Sequence, residues 1–226
     1  MKLKSALIDL GITVVMIGVI FGSIYAYAGV YPPMVVVVSN SMLHDNMGVG
    51  MTGVISPGDI VLVKNTGSII TTENATLTGY STYGDYGDVV VYRPLGEDVV
   101  PIIHRAVKWV ESGTIIEADP EFGIRGGWIA PHDGFLTKGD NNNMIDQESF
   151  SISHNSPVRE EWILGVARGE LPWLGILTML VSARDQLSNV PTIQYVFMLI
   201  ELAVLLIVLD VIDRIIDRVL KKRRDG

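Results

Sequence analysis

Apolar positions are spread unevenly along the chain. From Leu10 to Leu43 no residue is charged, and roughly Ala6 to Ala28 is almost wholly apolar. A bilayer core about 30 Å thick needs about 20 such residues at 1.5 Å rise each, so this run predicts a spanning helix. Tyr25, Tyr27 and Tyr31 cluster at its far end as an interfacial belt does. Pro32-Pro33 then stops any helix. A second apolar run, about Thr192 to Leu209, lies at the lower edge of spanning length. Glu201 sits near its middle, where a carboxylate needs a partner or a proton. Beyond it, Ile212, Ile215, Ile216, Val219 and Leu220 interleave with Asp213, Arg214, Asp217 and Arg218. That pattern predicts an amphipathic stripe lying along the membrane surface, ending in Lys221-Lys222-Arg223-Arg224.

Between the two runs the pattern changes. Met34–Val38, Ile60–Lys64, Asp88–Tyr92, Ile102–Val110, Thr114–Ala118 and Ile163–Arg168 are short apolar runs, mostly rich in Val and Ile and bounded by Gly, Pro, Asn or Asp. They read as strands, with Gly58-Asp59 and Gly87-Asp88 as turns leading into two of them. Residues 65–85, rich in Thr, Ser, Gly and Tyr, read as a long surface excursion. It carries the sequon Asn74-Ala75-Thr76, a possible glycosylation site at Asn74. Residues 171–183 are apolar but too short to span and suit an interfacial segment. The chain thus divides into an N-terminal anchor (1–31), a mainly β domain (32–190) and a C-terminal membrane helix with a basic tail (191–226).

Charge sets the orientation. Of 17 Lys+Arg and 25 Asp+Glu in the chain, the central segment from Tyr31 to Val190 holds 9 and 19, and the ends are net basic. Basic ends belong in the cytoplasm, which puts the β domain on the extracytoplasmic side. The acidic centre argues against a nucleic-acid partner. There is no cysteine, which excludes disulfides, thiolate metal sites and cysteine nucleophiles. Ala26-Tyr27-Ala28 is a small-x-small triplet that would also suit a cleaved signal peptide. The long run and its tyrosines favour an uncleaved anchor.

Candidate chemistry lies at three places. Ser39-Asn40-Ser41-Met42 follows four valines, so a hydroxyl there could be held rigidly at a cleft, but serine attacks only when a base accepts its proton. His104 lies in an apolar run, where burial keeps an imidazole neutral and ready to act as that base; His44, three residues from Ser41, is a rival. The stretch Gly139-Asp140-Asn141-Asn142-Asn143-Met144-Ile145-Asp146 offers two carboxylates, either of which could orient an imidazole through Nδ1. The ligand spacing of an EF-hand calcium loop is absent.

These segments, in this order, resemble the type I signal peptidases, specifically their archaeal and endoplasmic-reticulum branch. The matching residues are Ser39-Asn40-Ser41-Met42, Gly58-Asp59, Gly87-Asp88-Val89-Val90-Val91-Tyr92, Ile103-His104-Arg105, Phe135 to Asn142 with Asp146, Gly165 to Gly169, and Pro172-Trp173-Leu174-Gly175, over roughly residues 34–180. The bacterial branch has lysine where this chain has His104. The resemblance implies Ser41 as nucleophile, His104 as general base and Asp146 as the orienting acid, with Asp140 a supporting or alternative acid. It implies Ser39, with the Ser41 amide, as the oxyanion donors. It also implies a coiled, mostly antiparallel β domain, no metal or organic cofactor, and preproteins bearing signal peptides as substrates, with the secretion translocon as a candidate partner. The chain departs from the family at Ser41-Met42-Leu43-His44, where Ser-Met-x-Pro is usual, and at Ser39-Asn40-Ser41 in place of Ser-Gly-Ser. Branch and acidity together suggest an archaeal source.

The expectation is therefore a membrane-bound serine endopeptidase that removes signal peptides after small residues, its rate rising with pH as His104 loses its proton. An extended substrate is expected to pair with strand edges at Met34–Val38 and Asp88–Val91, with Met34, Val36, Val38, Val89 and Val91 lining the binding site. The alternatives are a catalytically silent, membrane-anchored preprotein-binding subunit and a protease that cleaves its own linker.

Overall fold

The computed structural model describes residues 2–44, 53–149 and 151–224; the side chains of 2–6 and 217–224, and with them the basic tail, lie outside the described residues. Helix α1 (Lys2–Ala28) leads into strand β1 (Met34–Val36), followed by β2 (Ile60–Lys64), helix α2 (Thr72–Thr78), the hairpin β3 (Ser81–Thr82) and β4 (Asp85–Tyr86), then β5 (Val89–Tyr92) and β6 (Ile102–Val110). The hairpin β7 (Ile115–Ile116) and β8 (Trp128–Ile129), strands β9 (Gly134–Lys138) and β10 (Ile163–Leu171), and helices α3 (Gly175–Ser182) and α4 (Thr192–Arg224) complete the order. Six strands form one sheet in the order β1-β2-β10-β5-β6-β9, every pair antiparallel. The sheet curls into an open half-barrel flanked by the two long apolar helices.

Period-two alternation explains the curl and the core. Val90 and Tyr92 of β5 face one way with Ala106 of β6, packing on Phe135, Val158 and Val166. Val37, Val61, Val89 and Ala167 form a second cluster with Met42 and Ile55. Register shifts in β6 between Ala106 and Lys108, and in β10 between Ala167 and Gly169, bend the long strands. Gly87 enters β5 at φ 90°, and a Cβ there would lie 2.8 Å from the Thr72 amide nitrogen, so the predicted turn has room only for glycine.

Three regions take a form that the sequence pattern did not specify. The 65–85 excursion folds into α2 and the β3–β4 hairpin, with Thr71 capping the helix through the Asn74 amide. Only Ala75 of α2 is buried, so the segment has no apolar stripe to announce it. Residues 171–183 contain α3, which packs with the foot of α4 against Val36 and Val38 of the β1 segment. Finally, α4 is one continuous helix to Arg224 rather than a span and a separate surface stripe. No glycine or proline interrupts 192–224, and an alternation of charges does not break a helix. Both long helices, Leu7–Ala28 and Thr192–Ile216, are long and apolar enough to cross a membrane.

Candidate active site

β6 carries His104 opposite Val90 of β5, with its side chain buried at 6% exposure. Beyond β6, β9 ends at Lys138 and the chain turns through Gly139-Asp140-Asn141-Asn142. This turn grips the serine segment: the Asn141 amide donates to the Ser41 carbonyl (2.8 Å) and Asn141 Nδ2 to the Asn40 carbonyl (3.1 Å). The approach is close enough that a Cβ on Gly139 would lie 2.6 Å from the Ser41 carbonyl oxygen and 2.9 Å from His104 Nε2.

Ser41 Oγ lies 3.0 Å from His104 Nε2, and His104 Nδ1 lies 2.6 Å from Asp146 Oδ2. The same carboxylate oxygen accepts from Tyr92 OH (2.8 Å) and Thr137 Oγ1 (2.7 Å). Thr137 Oγ1 in turn accepts from Gln147 Nε2 (3.3 Å), which commits its one proton to Asp146. Tyr92, Thr137, Asp146 and Gln147 are all essentially buried. Desolvation next to the Asp146 charge pushes the Tyr92 phenol well above its ordinary value, so it remains a donor. Such an arrangement can pull the proton from a serine hydroxyl while a fixed carboxylate balances the resulting imidazolium. Ser39 Oγ lies 3.1 Å from Ser41 Oγ on the exposed side. Among the described residues no three His, Asp or Glu side chains are grouped to hold a metal ion.

No protein-family model matches the chain. Curated relatives do, among them three from fungi described as "Signal peptidase complex catalytic subunit sec11". That of Aspergillus clavatus is 35% identical over 113 residues, 49% of this chain and 56% of its own. Schizosaccharomyces pombe gives 35% over 112 residues, 50% and 47%; Aspergillus oryzae gives 36% over 110 residues, 45% and 52%. Over half its length the chain is homologous to sec11. It spans about half the length of the curated relatives it matches.

The remaining sequence-derived candidates lie elsewhere. Asp140 does not touch His104. Its side chain receives a two-pronged contact from Arg105, Nε to Oδ1 at 2.8 Å and Nη2 to Oδ2 at 2.6 Å, and His44 Nε2 lies 2.8 Å from Oδ2. Burial alone would raise the Asp140 pKa, but His44 and Arg105 outweigh it and hold the carboxyl below its usual value. Arg105 Nη1 also donates to the carbonyls of Thr82 (3.0 Å), Asp85 (3.2 Å) and Gly87 (2.9 Å), anchoring the β3–β4 hairpin. The expected pairing of a substrate with the Asp88–Val91 edge is not available: β5 lies inside the sheet between β10 and β6, with Val89 and Val91 wholly buried. β1 is an edge strand, but Val36 and Val38 turn their side chains to the α3–α4 cluster. Asn74 is exposed in the first turn of α2.

Sequence reasoning missed Tyr92, Thr137 and Asn141. Tyr92 lies two positions beyond Val90, the partner of His104, and so on the same face, a relation that depends on knowing that β5 and β6 pair. Thr137 pairs with Ala106, two positions beyond His104, a relation that depends on knowing that β6 and β9 are neighbours.

Proposed function

We propose that this chain is a membrane-anchored serine endopeptidase that removes signal peptides from exported preproteins. The observation that carries the reading is the hydrogen-bonded series Ser41 Oγ–His104 Nε2 and His104 Nδ1–Asp146 Oδ2 in a chain homologous to a signal peptidase catalytic subunit. Ser41 Oγ attacks the scissile carbonyl carbon as His104 takes its proton, and Asp146 holds the tautomer and balances the imidazolium. His104 returns the proton to the leaving amine, an acyl–Ser41 ester remains, and water, deprotonated in turn by His104, releases the new carboxyl end. The oxyanion is held by the Ser41 amide and Ser39 Oγ, a type of donor worth about 3 kcal/mol in the transition state.

A substrate in extended form adds to the edge of β1 along Met34–Val36. Val35, Tyr83 and Ile103, partly buried over the Val37 and Met42 cluster, form a shallow apolar wall that favours small side chains. The two apolar helices hold the domain at the bilayer, with the basic ends in the cytoplasm and residues 32–190 outside. Enzyme and signal peptide then share one plane, which raises their effective concentration. Docking beside the secretion translocon and glycosylation of Asn74 are compatible with that orientation.

The test is cleavage of a signal-peptide-bearing preprotein by the full chain in lipid vesicles, with Ser41→Ala and His104→Ala as controls. Activity in the intact chain and its loss in both variants is the expected result. A chain that binds preprotein without cutting it, or a Ser41→Ala variant that cuts normally, overturns the reading.

A further inference from the structure

The nucleophile segment has little regular structure of its own. β1 ends at Val36, Ser41 follows five residues later in a turn, and the Leu43 amide bonds back to the Asn40 carbonyl at 3.1 Å. Its alignment with His104 depends on what it is tied to across the cleft. Asn141 supplies two ties, both to main-chain carbonyls. The third is a side-chain tie of a different kind. His44 Nε2 meets Asp140 Oδ2 at 2.8 Å, and the same oxygen meets Arg105 Nη2 at 2.6 Å. Arg105 is the residue after the base. A continuous polar path therefore runs from the serine segment through His44, Asp140 and Arg105 into the strand that carries His104, without passing through Ser41 Oγ.

We infer that His44 is a positioning residue that holds Ser41 in register with His104 by tethering the serine segment to the Asp140–Arg105 pair. Three observations support this. The Asp140 side chain is only 3% exposed and that of His44 18%, so the contact is shielded from water and is stronger than a surface pair. The hydrogen bond that His44 donates to Asp140 pushes the imidazole up from its ordinary value, against burial and the Arg105 charge, with Asp85 adding to the rise; the contact thereby has charge-assisted character. Finally, Asp140 is itself immobilised by the two-pronged Arg105 contact, so His44 is tied to a fixed point. His44 is absent from the proton path described above, because its ring nitrogen is directed at Asp140 while His104 faces the nucleophile.

The inference rests on the peptidase reading for its catalytic consequence but not for its structural one, so the experiment has two readouts. The first is preprotein cleavage by the full chain in vesicles, for His44→Ala, His44→Gln, Asp140→Asn and the double variant His44→Ala/Asp140→Asn. The second is hydrogen exchange at the Asn141 amide, which donates to Ser41. His44→Ala should lower kcat on the order of tenfold with KM unchanged, since a misplaced nucleophile loses orientation rather than binding, and should speed Asn141 exchange several-fold. His44→Gln, which keeps a side-chain donor of similar reach, should restore most of both. The double variant should be no worse than Asp140→Asn alone, because His44 acts through that carboxylate. If the wild-type chain cleaves nothing, the peptidase reading fails and Asn141 exchange alone decides the tether. Unchanged kcat and exchange in His44→Ala, or losses that add in the double variant, overturn the inference.

Discussion

Asp146→Asn separates the charge of the orienting acid from its shape. Three donors converge on Oδ2, from His104, Tyr92 and Thr137 at 2.6, 2.8 and 2.7 Å, while Oδ1 has no hydrogen-bond partner among the described residues. In the variant one of the two oxygens becomes an NH2 group. With that group turned toward His104, the Tyr92 and Thr137 protons would face a donor and the imidazole would be held in the wrong tautomer. With the amide oxygen there instead, all three donors keep an acceptor. The second orientation wins, so tautomer and geometry survive and only the charge is lost.

The magnitude follows from that loss. Unit charges about 4 Å apart interact by about 4 kcal/mol at an effective dielectric of about 20. Part of this is recovered because the amide oxygen still accepts a hydrogen bond. The imidazolium formed during attack is then destabilised by roughly 3 kcal/mol, and kcat falls about 10²-fold with KM little changed. A fall near 10⁴ instead indicates the flipped amide and the wrong tautomer. The assay is steady-state cleavage of a signal-peptide substrate, with a crystal structure or imidazole nitrogen spectra of the variant to assign the tautomer. A loss under about threefold, or a larger loss from Asp140→Asn than from Asp146→Asn, would refute the assignment of Asp146 as the group that balances the charge.

Gly139→Ala puts a methyl group within 2.6 Å of the Ser41 carbonyl oxygen and 2.9 Å of His104 Nε2; kcat is expected to fall at least tenfold with far-ultraviolet circular dichroism unchanged, and wild-type turnover would contradict the packing. Arg105→Lys removes the two-pronged contact to Asp140 and most of the bonds to the β3–β4 hairpin; chemical denaturation should register a loss of about 3 kcal/mol, and an unmoved midpoint would refute it. Asp59 is buried, which pushes its carboxyl up to about 7, opposed by hydrogen bonds from the Trp173 and Ser56 amides and raised further by Glu170. Its folded value exceeds the unfolded one, so its contribution to stability is complete below about 4 and is lost as pH rises to about 7. The melting temperature should therefore fall between pH 5 and 8 in the wild type and change less in Asp59→Asn, and parallel curves would exclude Asp59 as the cause.

Segments whose signal is local were legible in the sequence. The two apolar helices announced themselves by length, and the strands at Ile60–Lys64 and Ile102–Val110 by Val/Ile runs with turn residues on either side; both occupy the predicted residues. A mainly β domain followed from them, and its antiparallel pairing was implied by the resemblance to the signal peptidases. What could not be read was pairing. The position of β5 inside the sheet depends on β10 returning from 70 residues downstream to lie beside it, and no local pattern encodes that. For the same reason the two aspartates of the acid turn could not be told apart by local pattern: only five residues lie between them, yet Asp146 meets His104 while Asp140 meets Arg105, which alternation along β6 directs to the opposite face. Ser41, His104 and Asp146 were nameable as candidates by residue type, whereas Tyr92 and Thr137 became visible only with the register of β5, β6 and β9.

The fold also links the nucleophile to the membrane-facing elements. α1 runs almost directly into β1, and the Ala28 carbonyl at its end accepts from Asn65 just past β2. From the other side, α3 and the foot of α4 pack Ile176, Met179 and Met198 against Val36 and Val38, while Asn189 Nδ2 donates to the Val38 carbonyl at 2.9 Å. Trp173, held by Asp59 through its amide at 3.0 Å, stacks on Phe197 of α4. α3 and α4 therefore pack on the strand that leads to Ser41, within a few residues of the hydroxyl, while α1 is joined to that strand by a short link and contacts β2. β6 and the acid turn, which supply His104 and Asp146, make no comparable contact with either helix. A displacement of α3 or α4 would act first on the nucleophile side of the cleft, where the Asn141 and His44 ties and the burial of Met42 among Val89, Ala167 and Ile103 resist a shift of Ser41 relative to His104.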